Sequence, residues 1–267
     1  MSNDLGLMFA LKLSLVAGSV LLASLVSRRF GHSAAGVLTG LPMIAGPIMG
    51  VLLIDLAPDH TRAIALGTLV GLPAMALHYV VFALAAPRWP WPLCLLLANA
   101  AFLLAGVLLM QWPMPPALIC ALALAAPLLA QRVLASVARH GAPVEVPARE
   151  LAVRVIVALG VAAAIVLGAP SLPPGASGLL LTLPITANVL PCFTLPRHGA
   201  GATQSLIAGF ARGMFGFAAF FIGLYVALPA FGAGIAFVVA CAAALATAGA
   251  VLSRQGTGNG PKEPTIR

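Results

Sequence analysis

A few polar side chains lie inside stretches of the chain that are otherwise apolar. Arg212, His78 and Asn188 each stand well within a hydrophobic run that is long enough to cross a bilayer. Such groups are costly to bury away from water, so we expect them to face protein, water or a ligand. Their chemistry suits anion binding, proton transfer and neutral hydrogen bonding.

Each of these residues also has a structural interpretation. Arg212 lies about nine residues into its run, about 13 Å at 1.5 Å per residue, and its side chain could instead extend to the cytoplasmic surface. For His78 the alternatives are a buried histidine paired with its neighbours and a proton carrier. The sequence leaves both pairs of alternatives open.

The sequence lacks the patterns of catalytic, metal and cofactor sites. None of the six acidic residues lies deep in an apolar run, and only Asp55, at the end of one, could serve a cation. The four cysteines are spaced for neither metal nor redox chemistry, and no phosphate-binding loop or serine-nucleophile motif occurs. We therefore expect no enzyme, no metal and no cofactor.

The composition is that of a membrane protein. Hydrophobic residues make up 61% of the 267 positions and charged residues 7%, with a mean hydropathy of +1.08, whereas soluble domains are about a quarter charged. The long Ala, Leu, Val and Gly runs indicate helices rather than barrel strands. The net charge of +8 comes from single basic residues scattered through short loops, so we expect no nucleic-acid partner. The fold class is therefore an all-α, polytopic transmembrane helical bundle.

Nine apolar runs are long enough to span a bilayer. They are 5–27, 33–56, 62–86, 91–111, 115–136, 150–169, 175–196, 203–228 and 232–252. The polar, Pro-containing stretch 137–149 is predicted to be a linker, and 253–267 a disordered tail.

The distribution of Lys and Arg predicts the orientation. With the N-terminus outside, ten basic residues fall in cytoplasmic segments: Arg28, Arg29, Arg88, Arg132, Arg139, Arg149, Arg197, Arg254, Lys262 and Arg267. The outside loops hold only Arg62. This asymmetry predicts a bacterial inner-membrane protein with its N-terminus outside and its C-terminus, linker and tail in the cytoplasm.

The chain matches itself at an offset of 142 residues. Between positions 34 and 84 the offset gives 11 identities, among them Pro42 with Pro184, Gly67 with Gly209, and Gly71 with Gly213. Five spans precede the second copy, so it would enter the membrane from the opposite side. The acidic outer loop 55–59 corresponds to the basic loop 197–201, as such an inversion requires. We predict an inverted repeat with five spans in 1–136 and four in 150–252.

This architecture resembles that of the drug/metabolite transporter type. The segments that carry the resemblance are Gly40-Leu41-Pro42 and Thr182-Leu183-Pro184 with their flanking spans. The resemblance implies five-span inverted halves, and this chain has one span fewer than five plus five. It assigns no residue a role.

The second and seventh spans are predicted to be broken by proline. The second contains Pro42, Gly46 and Pro47, and the seventh contains Pro184 and Pro191. Proline removes a backbone donor, and the freed groups need a partner, water or a ligand within the membrane. Paired broken spans are typical of transporter binding sites, although a plain structural kink is the alternative.

The third and eighth spans each present a small-residue face. The faces are Gly67, Val70, Gly71, Ala74 and His78, and at equivalent positions Gly209, Arg212, Gly213, Gly216 and Phe220. Helix packing alone would explain the glycines. We predict a central cavity between these faces and the broken spans, with Arg212 as its anchor and Asn188 and Thr186 as hydrogen-bonding groups.

These features together predict a small secondary transporter working by alternating access. A deep Arg212 favours a small anionic or zwitterionic solute. A lipid or lipid-carrier flippase and a non-transporting membrane subunit are the alternatives. The expected partners are a small-molecule or lipid substrate, membrane lipid and, as an option, a second copy in a homodimer.

Overall fold

The computed structural model describes residues 42–137 and 171–256, together with Ser14 and part of 152–168, and these residues are helical or in short turns. The helices are α1 (Ala45–Asp55), α2 (Pro58–Ala85), α3 (Trp91–Gln111), α4 (Pro116–Val137), α5 (Pro174–Leu181) and the helical run α6 (Ile185–Gly256). The described residues between 152 and 168 are also helical.

Four helical stretches are long and apolar enough to cross a membrane. They are Pro58–Ala85, Trp91–Gln111, Pro116–Ser136 and the long, interrupted stretch Pro174–Val251, and α1 is a shorter apolar helix. The expectation of an all-helical chain with apolar, membrane-capable helices is therefore confirmed for the described residues.

The three spans predicted in the middle of the chain closely match α2, α3 and α4. The predicted bounds 91–111 coincide with those of α3. The first span apart from Ser14 and half of 150–169 lie outside the described residues, as do 138–149 and 257–267. In the segment predicted to be a tail, α6 continues to Gly256.

The run α6 is three helices joined at two glycines. A straight helix of its 72 residues would be about 108 Å long, far more than the bilayer core of about 30 Å. The backbone leaves the helical region at Gly199 (φ 77°, ψ −179°) and Gly232 (φ 73°, ψ 177°). These breaks divide the run into α6a (185–198), α6b (200–231) and α6c (233–256).

Only glycine adopts this positive-φ, extended conformation readily, so each glycine reverses the chain with a single residue. Gly223 of α6b lies against Ala240 of α6c, which shows that the chain turns back at Gly232.

Helix α3 has the surface of a lipid-facing span. Its 21 residues measure about 32 Å, close to the thickness of the bilayer core. Trp91 and Trp112 stand exposed at its two ends, where tryptophan is favoured at membrane interfaces. Large apolar side chains between them are exposed as well: Leu96, Leu97, Leu103, Leu104, Val107 and Leu108. This face is suited to lipid contact.

Helix α2 lies at the centre of the described structure and contacts every other named helix. Its largest buried side chains, Leu69, Leu72 and Phe82, are inaccessible to solvent. The broken helix formed by α5 and α6a runs beside α2 in the same direction, since Gly67 meets Gly175 and, further along, Gly71 meets Thr182. α6b runs antiparallel to α2, because Gln204 contacts Ala83 and Arg62 contacts Tyr225.

Replacing Gly199 with alanine should destabilise the protein by about 1–3 kcal/mol, because a Cβ is strained at its positive φ. Gly249→Ala is the matched control, since Gly249 is helical and nothing lies within 4 Å of an added Cβ. Thermal unfolding of both variants in detergent measures the difference. Equal stability of the two variants would contradict the single-residue turn.

Candidate functional site

The seventh predicted span is interrupted in the middle. Helix α5 ends at Leu181, and α6a begins at Ile185 after three residues that are not helical. Thr182 closes α5, since its backbone N–H donates to Gly178 and its Oγ1 to Leu179 (2.7 Å). Pro184 lies in this interruption, where its missing N–H breaks no helical hydrogen bond.

In the second predicted span, a turn at 42–44 leads into α1. Pro42 lies in that turn, and its carbonyl accepts from the N–H of Gly46 (2.6 Å). Pro47 occupies the first turn of α1, where N–H groups have no helical partner in any case. Residues 33–41 of this span lie outside the described residues.

The small-residue face of α2 packs directly on the broken helix. A Cβ added at Gly178 would collide with the backbone of Gly67 and Thr68, and one added at Gly71 would collide with Thr182. Along this stretch the face is therefore a close helix–helix contact, in which glycine is needed for the approach.

Two turns beyond Gly71, the face of α2 becomes polar at His78. The ring is fully buried, and neither Nδ1 nor Nε2 has a hydrogen-bond partner among the described residues. The backbone carbonyls of Ala98 on α3 and Ala187 on α6a lie beside it, outside hydrogen-bonding geometry. Asn188 follows Ala187, and its Oδ1 is also buried, with no hydrogen-bond partner in the described part of the chain. Leaving such groups unpaired costs about 1–3 kcal/mol each.

A proline removes the usual helical donor of the Ala187 carbonyl. In a helix this carbonyl would accept from the N–H four residues later, but that residue is Pro191, which has none. Pro191 thus lies inside α6a rather than in the interruption, and its effect is to free an acceptor next to His78.

Two other prolines free carbonyls that are then paired by side chains from a distant helix. Pro87 removes the donor for Ala83, and Gln204 Nε2 donates to that carbonyl (3.0 Å). Pro229 likewise frees a carbonyl on α6b.

The carbonyl freed by Pro229 is that of Tyr225, which accepts from Arg62 Nε (3.3 Å). The Arg62 guanidinium also lies 4.3 Å from the centre of the Tyr225 ring. Both ends of the α2–α6b pair are therefore joined by a side chain bound to a proline-freed carbonyl.

The remaining predicted site residues occupy different surroundings. Arg212 is half-buried on α6b, and it forms no hydrogen bond, ion pair or ring contact with the described residues. Thr186 is half-buried in the first turn of α6a. Gly46 on α1 faces the ring of Phe220, 3.8 Å from the position of a Cβ. The structure thus brings His78 to the broken helix at Ala187, the residue before Asn188, whereas Arg212 has no polar contact with the described residues.

Sequence reasoning missed several polar partners. Gln204 and the carbonyls of Ala83, Tyr225 and Ala187 were not singled out, and neither was Ser177, whose buried Oγ has no partner. The rule that proline frees the carbonyl four residues earlier would have identified all three carbonyls.

No protein-family model, curated protein or solved structure matches this chain. The site is therefore interpreted from its own geometry.

The pairing of Gln204 with the freed carbonyl can be tested by a double-mutant cycle. Gln204→Leu should cost about 1 kcal/mol, since it leaves the buried Ala83 carbonyl without a donor. In a Pro87→Ala background, the new N–H can serve that carbonyl, so the same change should cost clearly less. Thermal unfolding of the four proteins provides the measurement, and additive effects would contradict the proposed pairing.

Proposed function

We propose that this chain is a small inner-membrane secondary transporter that moves a small anionic or zwitterionic solute by alternating access. The observation that carries the proposal is the group of buried, unpartnered polar atoms on His78 and Asn188 beside a broken helix. In lipid such atoms are tolerable when water or a ligand reaches them during function. A broken helix with freed backbone groups is the usual setting of a transporter site.

An inverted repeat would explain the paired hydrogen bonds at the ends of α2 and α6b. The two donors, Arg62 and Gln204, are 142 residues apart, and so are the two prolines, Pro87 and Pro229. This is the offset at which the sequence matches itself. Each copy thus contributes one donor and one freed carbonyl, which is what a two-fold relation between the copies would produce.

The packing of the broken helices supports the same relation. Gly46 of α1 contacts Phe220 of α6b. At an offset of 142 these positions become Asn188 and His78, and His78 lies beside α6a at Ala187. Each broken helix therefore crosses the central helix of the other half at an equivalent position.

Helix direction supports a count of nine spans. The α5–α6a helix runs parallel to α2, so an odd number of crossings must separate them. Two of these crossings are α3 and α4. We infer that the apolar run 150–169 supplies the third, and the runs 5–27 and 33–56 would complete five spans in the first half.

Arg212 remains the proposed anchor for the solute. It is a cation within an apolar helix and is not neutralised by any described residue. Its planar guanidinium can bind a carboxylate or phosphate through two parallel hydrogen bonds. Thr186 and Asn188 would contribute neutral hydrogen bonds at the start of α6a.

The solute can be sought by thermal-shift measurements on the purified protein. One class among small carboxylates, phosphates and amino acids should raise the unfolding temperature. Arg212→Ala should weaken this binding about 10- to 100-fold, as expected for the loss of a charge-assisted hydrogen bond, and Arg212→Lys should weaken it less. Arg132→Ala, which removes an exposed arginine, is the matched control. Stabilisation by lipids alone would favour a flippase, and no stabilisation by any class would count against a transporter.

The orientation can be tested with reporter fusions. A reporter after Arg254 should read cytoplasmic, and one within 57–61 should read external, because the basic residues are concentrated in the segments assigned to the inside. An external signal at the C-terminus would refute both the orientation and the odd number of spans.

A further inference from the structure

The stretch of α6a next to His78 offers two acceptor oxygens. A neutral imidazole has one N–H donor and one acceptor nitrogen. Beside the ring lies the Ala187 carbonyl, freed by Pro191, and the next residue supplies the buried, unpartnered Oδ1 of Asn188. A neutral ring can donate to one of these oxygens at most, so part of the group stays unpaired.

Protonation of the ring would remove this imbalance. The imidazolium has two N–H donors and no acceptor nitrogen. Its donors match the two free oxygens, that of the Ala187 carbonyl and Oδ1 of Asn188. With the Asn188 side chain turned toward the ring, one proton would pair both ring nitrogens and Oδ1, the unpartnered polar atoms of this group.

Few other titratable groups lie near the ring. The titratable residues around it are Tyr79 on α2, Cys94 on α3, one turn from Ala98, and Cys192 on α6a. No charged side chain acts on the ring among the described residues. The six acidic residues of the chain are Asp4, Asp55, Asp59, Glu145, Glu150 and Glu263, all near the ends of apolar runs or outside them.

Packing alone does not require a histidine at this position. The equivalent position in the other half holds Phe220, which packs against Gly46. The positions of Gly46 and Phe220 at this crossing are thus occupied in the other half by Asn188 and His78, and the His78 ring lies beside Ala187. A polar pair in only one half indicates one site per chain.

We propose that His78 is the proton-binding group through which this chain couples solute movement to a proton gradient. When the broken helix opens to water on one side, a ring nitrogen takes a proton from hydronium or a buffer acid, and an N–H bond forms without electron transfer. The imidazolium then donates to the Ala187 carbonyl and to Asn188, and the proton leaves to water on the other side. This inference rests on the proposed transport function, although proton binding itself can be measured without it.

The test is a pH titration of ¹⁵N-histidine NMR spectra of the full chain in lipid nanodiscs. A variant in which His32, His60, His140 and His198 are replaced by glutamine carries only the His78 signals, so no substitution of His78 is needed. As the pH is lowered from 9 to 4, these signals should change from those of one neutral tautomer to those of the imidazolium. A single neutral tautomer over the whole range would overturn the proposal.

The acceptor arrangement is tested in the same single-histidine chain. Asn188→Leu should weaken proton binding about tenfold, as expected for one lost hydrogen bond to a charged group. Asn99→Leu is the matched control, because Asn99 bonds only to Leu95 of its own helix (3.0 Å), and it should leave the titration unchanged. Equal effects of the two changes would refute the role of Asn188. A titrating His78 in a protein that binds no solute would instead count against the transport function alone.

Discussion

The need to pair every backbone hydrogen-bonding group in a solvent without water governs this structure. Proline within an apolar helix, or just after its end, leaves one carbonyl without its helical donor, and lipid offers no replacement. At Pro87 and Pro229 the chain supplies a donor from a distant helix. At Pro191 the freed carbonyl lies instead beside a buried imidazole without a hydrogen bond. The hydrogen bonds at the first two prolines thus join helices to each other, whereas at the third the polar groups can still form further hydrogen bonds.

Close packing and polarity alternate along one face of α2. Where the face is glycine, at Gly67 and Gly71, the neighbouring chain comes so near that an added Cβ would crowd or collide with it. Where it is His78, the interruption in the neighbour has passed and polar atoms replace backbone contact. The tight contact holds the broken helix in register with α2, and this register determines which residues face the ring.

The extent of the apolar helices could be predicted from the sequence, because composition determines them locally. The bounds of α3 were predicted to the residue, since a proline-rich turn and tryptophan mark each end. The interruption before Ile185 was also predictable from Thr182 and Pro184. The pairing of Gln204 with a carbonyl 121 residues away was not, because it depends on the register of two helices that are distant in sequence.

The sequence indicated which polar residues near His78 are unusual, but not that they come from neighbouring helices. His78 and Asn188 attracted attention as polar residues in apolar runs, yet nothing local places them at the same helix crossing. Arg212 attracted more attention because a charge is rarer there, but no described residue forms a polar contact with it. A charged or polar residue is rare in an apolar run because its burial is costly. Which groups lie around it depends on tertiary packing, which the local sequence does not show.

The single-glycine reversal at Gly199 has a mechanical consequence. A loop of several residues would let two consecutive helices tilt independently, but here α6a and α6b share a joint only one residue long. Any rocking of α6a toward or away from α2 must then displace the adjoining end of α6b, where Gln204 is bound to Ala83. The two helices therefore move together, so that movement of the broken helix is transmitted to the hydrogen bond between Gln204 and Ala83 at one end of the α2–α6b pair.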